Sequence, residues 1–146
     1  MTASPGHIAT RQVQAPADVA FRYLSDPLAL GRWSLGCFDT RPAEEPGLYA
    51  GRSLIDGSDA FFRIDADPER LVVDYLVGTP DSLVRRISAR VVPGPTIDLP
   101  EAFCLVSLMA WRTAGMDDEH WARLCALHEA EIVLIKGQIE HGAASE

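Results

Sequence analysis

An apolar stripe near the C-terminus limits the folds open to this chain more than any other pattern in its sequence. The stripe recurs at steps of three and four residues, as on one side of a helix: Trp121, Leu124, Cys125, His128, Ile132, Ile135 and Ile139. Before it, Asp117, Asp118 and Glu119 place negative charge at the helix start, where the helix dipole favours it. The pattern predicts a helix of about 24 residues, roughly 36 Å long, which is enough to cross a whole sheet.

Upstream of that helix, apolar runs of strand length alternate with turn sequences. Asp56-Gly57 and Thr79-Pro80-Asp81 are strong turn signals, and the runs that they separate are neighbours in the sequence. The runs read GLYAGRSLI, AFFRID, LVVDYLVG, LVRRISARVV and EAFCLVSLMAWRT. The order predicts an antiparallel meander, with the Pro- and Gly-rich segments 41–47 and 92–100 as loops.

Near the N-terminus, the segment 13–33 predicts two short helices behind a first strand, HIATRQVQ. Pro16 suits the first turn of a helix, because its missing N–H would be unpaired there. Asp26 and Pro27 restart the helix as N-cap and first residue, and Gly31 interrupts the second piece. Two short helices with a tight break between them form a curved support rather than a bundle.

This order of elements resembles the START-like superfamily, also called Bet v 1-like or SRPBCC, with its polyketide cyclase/dehydrase-like branch. Two segments carry the resemblance: VQAPADVAFRYLSDPLALGRW at the start and EHWARLCALHEAEIVLIKGQIE at the end. The resemblance implies an α+β helix-grip fold, in which a curved antiparallel sheet wraps around a long C-terminal helix and two short helices follow the first strand. It also implies a ligand cavity between sheet and helix. We expect one domain over residues 1–146, with disordered ends at 1–6 and 142–146.

The charge and composition of the chain indicate which partners, compartment and cofactors to expect. The 146 residues include 13 Lys and Arg against 21 Asp and Glu, a formal net charge of −8, so we expect no nucleic acid partner. The three cysteines are far apart and form no CxxC pair, which fits a reducing cytoplasm. The longest apolar runs are too short to span a membrane, so we expect no membrane insertion. The four histidines form no HExxH pattern and no i,i+4 pair, and we expect neither a metal nor another cofactor.

The parity of the strand LVRRISARVV predicts which of its side chains face the cavity. Leu83, Arg85, Ile87, Ala89 and Val91 share one face, which we take as the inner one. An inward Arg85 needs an acidic partner or an anionic ligand. In the alternative interpretation, Arg85 lies near the strand end and reaches water past the rim.

The last strand is apolar on both faces. Phe103, Leu105, Ser107, Met109 and Trp111 share one face. The opposite face carries Ala102, Cys104, Val106, Leu108 and Ala110. One face packs beneath the helix, and the other reaches a second layer or forms a subunit contact, so a homodimer is one expected assembly.

The predicted ligand-binding residues combine these assignments with the aromatic side chains near the expected cavity. They are Trp33, Phe62, Tyr75, Arg85, Ile87, Met109, Trp111, His128, Ile132 and Ile135. The candidates for catalysis are His128, Arg85, Asp74 and Tyr75. His128 is either a general acid or base aimed into a cavity, or a core histidine with one satisfied ring nitrogen.

Three functions remain open at this point. The first is binding of a small hydrophobic molecule, such as a lipid, a polyketide or an aromatic metabolite. The second, implied by the resemblance, is a polyketide cyclase/dehydrase-like enzyme that uses the same cavity. The third is a protein-interaction module like the Hsp90-activator branch, which requires an exposed surface and little cavity. Binding is favoured over catalysis because the sequence holds no clear catalytic constellation.

Overall fold

Seven strands form one antiparallel sheet, in agreement with the predicted meander. The computed structural model describes residues 4–145. The strands are β1 (Gly6–Val13), β2 (Phe38–Pro42), β3 (Tyr49–Arg52), β4 (Asp59–Asp67), β5 (Val72–Thr79), β6 (Ser82–Pro93) and β7 (Cys104–Trp111). Their order across the sheet is β1-β7-β6-β5-β4-β3-β2. The first strand therefore pairs with the last, and every other pair is adjacent in sequence.

Three α-helices accompany the sheet: α1 (Ala17–Leu24), α2 (Pro27–Leu30) and α3 (Asp118–Ser145). The predicted break between the short helices is confirmed, because the Asp26 side chain caps α2 by accepting the Leu28 N–H at 2.9 Å. Gly31 ends α2, and a Cβ there would lie only 2.4 Å from the Thr40 backbone nitrogen. The missing side chain thus lets β2 pass close behind α2.

The long helix α3 has 28 residues against the 24 predicted, and it contacts β1, β7 and α1. The predicted stripe is confirmed as its buried side, with Ile132 and Ile135 fully enclosed. An acidic residue, Glu131, is buried on the same side, although the apolar pattern omitted it. The sheet and α3 together give the α+β helix-grip architecture that the sequence predicted.

The strand β7 packs its buried face against the helix. Cys104, Val106, Leu108 and Ala110 are buried, and Leu108 pairs with Ala9 of β1 on the same inner face. Met109 and Trp111 point to the outer face, and Trp111 is 46% exposed. The predicted placement of Met109 and Trp111 in the cavity is therefore corrected. The two faces are almost equally apolar, so parity alone could not separate them.

The strand β2 was not predicted, and its last two residues, Arg41 and Pro42, fall in the Pro- and Gly-rich segment interpreted as a loop. It is a short edge strand that pairs with β3, and its register shifts between Phe38 and Arg41. Asp39 within it has a φ of 54°, in the left-handed region. A short strand with an irregularity shows no alternation that a sequence pattern could reveal.

The predicted disorder at the ends falls partly outside the described residues, which exclude 1–3 and 146. Within them, the Ser4 carbonyl accepts a hydrogen bond from Trp121 Nε1 at 2.9 Å. The Pro5 carbonyl accepts one from the Arg112 N–H at 2.7 Å, and Gly6 begins β1. At the other end, α3 continues to Ser145. The disorder expected at the two ends of the chain stays a prediction.

Candidate functional site

A cavity of about 230 Å³ lies between the inner face of the sheet and α3. Strands β4, β5 and β6, the segment after α2, and the first half of α3 contribute its walls. Its apolar wall residues are Leu30, Phe61, Phe62, Val77, Ile87, Leu124 and Leu127. The volume is slightly below the range of roughly 300–1,000 Å³ that is typical of ligand pockets. A molecule that fits here is therefore small.

Five of the predicted ligand-binding residues line this cavity: Trp33, Phe62, Tyr75, Ile87 and His128. Ile132 and Ile135 belong instead to the core, where they are packed with no solvent exposure. Both lie on the buried side of α3, but beyond the turn that reaches the cavity. The helical stripe identified the buried side correctly and could not distinguish wall from core.

A β-bulge in β6 decides which arginine enters the cavity. Tyr75 of β5 pairs with Ile87, whereas the next residue, Leu76, pairs with Arg85. Arg86 is the extra residue between these two pairs, and such an insertion reverses the alternation of side chains along a strand. As a result, Arg86 lines the cavity and Arg85 does not.

Arg85 lies on the outer face of the sheet, so the prediction that it points inward is wrong. Its Nη1 atom donates to Asp65 Oδ2 at 2.9 Å and to Asp74 Oδ2 at 2.8 Å. These two carboxylates raise the pKa of the Arg85 guanidinium. Asp74, a predicted catalytic candidate, is thereby placed outside the cavity as well. The three side chains form a group of ion pairs on the surface. The two carboxylates therefore supply the acidic partners of Arg85, and no anionic ligand is needed there.

Arg86 is the basic residue of the cavity wall. Its Nη1 atom is buried and has no hydrogen-bond partner among the described residues. Burial lowers the pKa of the guanidinium, which nevertheless stays protonated at neutral pH as arginine does throughout proteins. The sequence offered only an Arg-Arg doublet here, and the bulge selects its second member.

Tyr75 and Trp33 form an aromatic pair at the base of the cavity. Their rings meet edge to face at a centroid distance of 5.8 Å. The Tyr75 hydroxyl donates to the Leu24 carbonyl at 2.5 Å, and burial raises the phenol pKa far above its ordinary value. Tyr75 therefore presents its ring to the cavity and keeps its hydroxyl occupied. Trp33 has a buried Nε1 atom that has no hydrogen-bond partner in the described part of the chain.

His128 and Glu131 lie one helical turn apart on the side of α3 that faces the cavity. Burial lowers the pKa of His128 to about 4, with smaller contributions from His7 and Arg86. Burial also raises the pKa of Glu131 to about 8, although its Oε2 accepts the Leu35 N–H at 2.8 Å. At pH 7 the neutral forms predominate, so the 3.8 Å approach of His128 Nε2 to Glu131 Oε1 is not an ion pair.

Neither interpretation of His128 in the sequence anticipated its surroundings fully. Its Nδ1 atom is buried without a hydrogen-bond partner among residues 4–145. Its ring lies edge-on to that of His7 at a centroid distance of 6.3 Å, and His7 Nε2 is 3.0 Å from Glu129 Oε1. Glu131 was missed, although its position three residues after His128 on the buried side was a usable signal.

The site thus combines apolar and aromatic walls with a few polar groups. Asp59 also lines the cavity and is exposed, so its carboxylate belongs to the rim. Within residues 4–145, no three His, Cys, Asp or Glu side chains come together as a metal site would require. The arrangement can enclose a small apolar body and hydrogen-bond one polar end of it.

Several solved structures of other proteins have the same fold as this chain. The Zhui aromatase/cyclase from Streptomyces sp. R1128 aligns with a TM-score of 0.66 and 20% identity, covering 95% of this chain and 93% of that one. A START superfamily protein from Mycobacterium smegmatis aligns with a TM-score of 0.63 and 13% identity, covering 96% and 97%. The Aha1 dimer from Colwellia psychrerythraea gives 0.65 and 15%, covering 92% and 96%.

The protein therefore has the START-like fold, also called Bet v 1-like or SRPBCC, as the resemblance in the sequence predicted. No family model and no curated protein matches the sequence. None of the helices in the described residues combines the length and the apolar character that a membrane span requires. At these identities the likeness concerns the fold, and function has to come from the site.

Proposed function

We propose that this protein binds a small, mostly apolar molecule in the cavity between the sheet and α3. The observation that carries the proposal is the cavity itself, about 230 Å³ with mainly apolar walls. Protein interiors are close-packed, and voids larger than a water molecule are few. A cavity of this volume with several polar groups on its wall is the expected form of a ligand site.

The test is native mass spectrometry of the protein purified from its own host, followed by denaturation and identification of the released molecule. We expect a bound apolar compound in the wild-type protein. Ile87→Trp places an indole in the cavity and should abolish the bound mass, whereas Met109→Trp on the outer face should retain it. If the wild-type protein bound neither a host compound nor an added apolar probe, the proposal would be wrong.

A second candidate is an aromatase/cyclase-like enzyme that uses the same cavity on a polyketide-like chain. It is favoured by His128 and Glu131, two titratable side chains on the wall, and by the likeness to the Zhui aromatase/cyclase. In this case neutral His128 would accept a proton and protonated Glu131 would donate one. The small volume favours simple binding, since a long reactive chain needs more room. Loss of turnover in Glu131→Gln with binding retained would decide for the enzyme.

The third function, a protein-interaction module, fits less well because it does not require an enclosed volume. The likeness to Aha1 concerns the fold alone. If the ligand experiments fail while a protein co-purifies at defined stoichiometry, this alternative gains over the other two.

The proposal extends to compartment and assembly. All three cysteines are free thiols, which suits a reducing cytoplasm.

On the outer face of β1 and β7, Ile8 is 64% exposed and Trp111 is 46% exposed, and this apolar surface suits a homodimer contact. Light scattering of the purified protein tests the dimer: Trp111→Lys should shift a dimer mass to the monomer mass, and a wild-type monomer would exclude the contact.

A further inference from the structure

Three of the residues that line the cavity each carry a buried polar side-chain atom that has no hydrogen-bond partner among the described residues. These atoms are Trp33 Nε1, Arg86 Nη1 and His128 Nδ1. The only other side-chain atom of this kind in the described chain is His7 Nδ1, and His7 does not line the cavity. Buried polar groups without partners are rare in folded proteins, and their concentration at one cavity indicates that a ligand supplies the partners.

The chemistry of these atoms defines what the ligand must offer. An indole N–H and a guanidinium can only donate hydrogen bonds, whereas a neutral imidazole nitrogen donates or accepts according to its tautomer. Trp33 and Arg86 therefore require acceptor atoms on the ligand. A purely hydrocarbon ligand would leave both donors buried and unpaired, which costs free energy.

The cavity carries a positive charge that no negative charge among the described residues balances. Arg86 forms no ion pair within residues 4–145, and burial alone accounts for the shift in its pKa. Glu131 is mainly protonated at neutral pH, because burial raises its pKa to about 8. His128 is neutral, and Asp59 lies at the exposed rim. Inside the cavity the guanidinium thus has no counter-charge from the protein, and a buried cation without one is unfavourable.

The shape of the remaining wall adds the third requirement. Trp33 and Tyr75 meet edge to face, and Phe62 adds a third aromatic ring on the sheet side of the cavity. Aromatic walls pack most favourably on flat ring systems. A volume of about 230 Å³ limits such a ligand to a small ring system with one polar substituent.

We propose that the ligand is a small aromatic carboxylate, held with its ring against these aromatic side chains and its carboxylate on Arg86. The inference rests on the proposed function and names the class of molecule bound. The planar fork of a guanidinium matches the two oxygens of a carboxylate, and the pair is stronger than a neutral hydrogen bond. Trp33, which lines the same cavity, carries a further donor without a partner in its Nε1 atom.

A pair of probes that differ only in charge tests the inference. Calorimetric titrations with 2-naphthoate and 2-naphthamide compare an aromatic carboxylate with its neutral amide in the wild-type protein. We expect naphthoate to bind roughly 10- to 100-fold more tightly, the range for a hydrogen bond to a charged group. In Arg86→Met the preference should vanish while naphthamide affinity changes little. Arg85→Met is the matched control, because it removes the neighbouring charge on the outer face and should keep the preference.

The outcomes separate this inference from the proposed function. Equal binding of both probes, or a preference for naphthoate that survives in Arg86→Met, overturns the carboxylate assignment and leaves ligand binding intact. Binding of neither probe by the folded wild-type protein overturns both. Arg86→Lys provides a second variant: it keeps the charge and loses the fork, so a reduced but persistent preference supports the assignment.

Discussion

Glu131 makes the stability of this protein fall as the pH rises above neutrality. Its ordinary pKa is 4.5, and burial raises the pKa to about 8 in the folded state. Between these values the folded protein holds a proton that the unfolded chain has released, so raising the pH favours unfolding. His128 acts in the opposite direction, because its pKa falls from 6.5 to about 4 and the unfolded chain then holds the extra proton. From pH 4.5 to 6.5 the two slopes cancel.

Above pH 6.5 only the slope from Glu131 remains, up to its folded pKa of about 8. One proton changes stability by about 1.4 kcal/mol per pH unit, so this window should cost the protein about 2 kcal/mol. For a chain of this size, that loss corresponds to a fall in Tm of about 4–8 °C. Burial also raises the pKa values of Tyr23 and Cys37 to about 12, that of Cys104 to about 11 and that of Tyr75 higher still, so in the folded protein these groups titrate above this window.

Urea unfolding at pH 6.5 and pH 8.0, followed by circular dichroism, measures this loss directly. Glu131→Gln keeps an oxygen acceptor for the Leu35 N–H and removes the titration. Its stability should be level across the window, and it should reveal the rise from pH 4 to 6.5 that His128 produces. Glu119→Gln, on the exposed first turn of α3, is the control and should lose stability as the wild-type protein does. An equal loss in Glu131→Gln and in the wild-type protein would refute the reasoning.

Three further predictions concern packing around the cavity. Ile87→Trp should prevent uptake of an apolar fluorescent probe while Met109→Trp leaves it unchanged; equal uptake by both variants would contradict the assigned inner face. Gly31→Ala should lower stability by about 1–3 kcal/mol in chemical denaturation, because the new Cβ would lie 2.4 Å from the Thr40 nitrogen, and an unchanged midpoint would show that β2 yields without cost. Arg86→Met should raise the stability of the ligand-free protein by about 1 kcal/mol, since it removes an unpaired buried donor; a lower Tm would argue that Arg86 has a partner within the protein.

The fold was largely predictable because its elements have strong local signals. The 3.6-residue period defines α3 and its buried side over many turns, and Asp26-Pro27 marks the start of α2. The edge strand β2 was missed because pairing with β3, and not an alternating pattern, holds its irregular backbone in place. Tertiary pairing of this kind leaves no periodic trace in the sequence.

The site was less predictable than the fold. The inserted residue Arg86 explains why the wrong arginine was assigned to the cavity. A strand parity extrapolated through β6 assigns Arg85 to the cavity, and the bulge at Arg86 reverses that assignment. The neighbouring Arg-Arg doublet gives no hint of which member is extra. Glu131 was missed because a pattern of hydrophobic residues leaves out every polar residue, even one on the buried side of the helix.

The distribution of unfavourable groups gives the strongest reason to assign function to this cavity. A bulge that turns an arginine inward, an acid buried on α3 and donors without partners each lower stability. Core positions nearby, such as Ile132 and Ile135, show the ordinary alternative of close apolar packing. Departures from local consistency are expected at functional sites, where binding outweighs the loss of stability. Because these departures meet at one cavity, the proposed ligand, which accepts hydrogen bonds and carries negative charge, would account for Trp33 and Arg86 together.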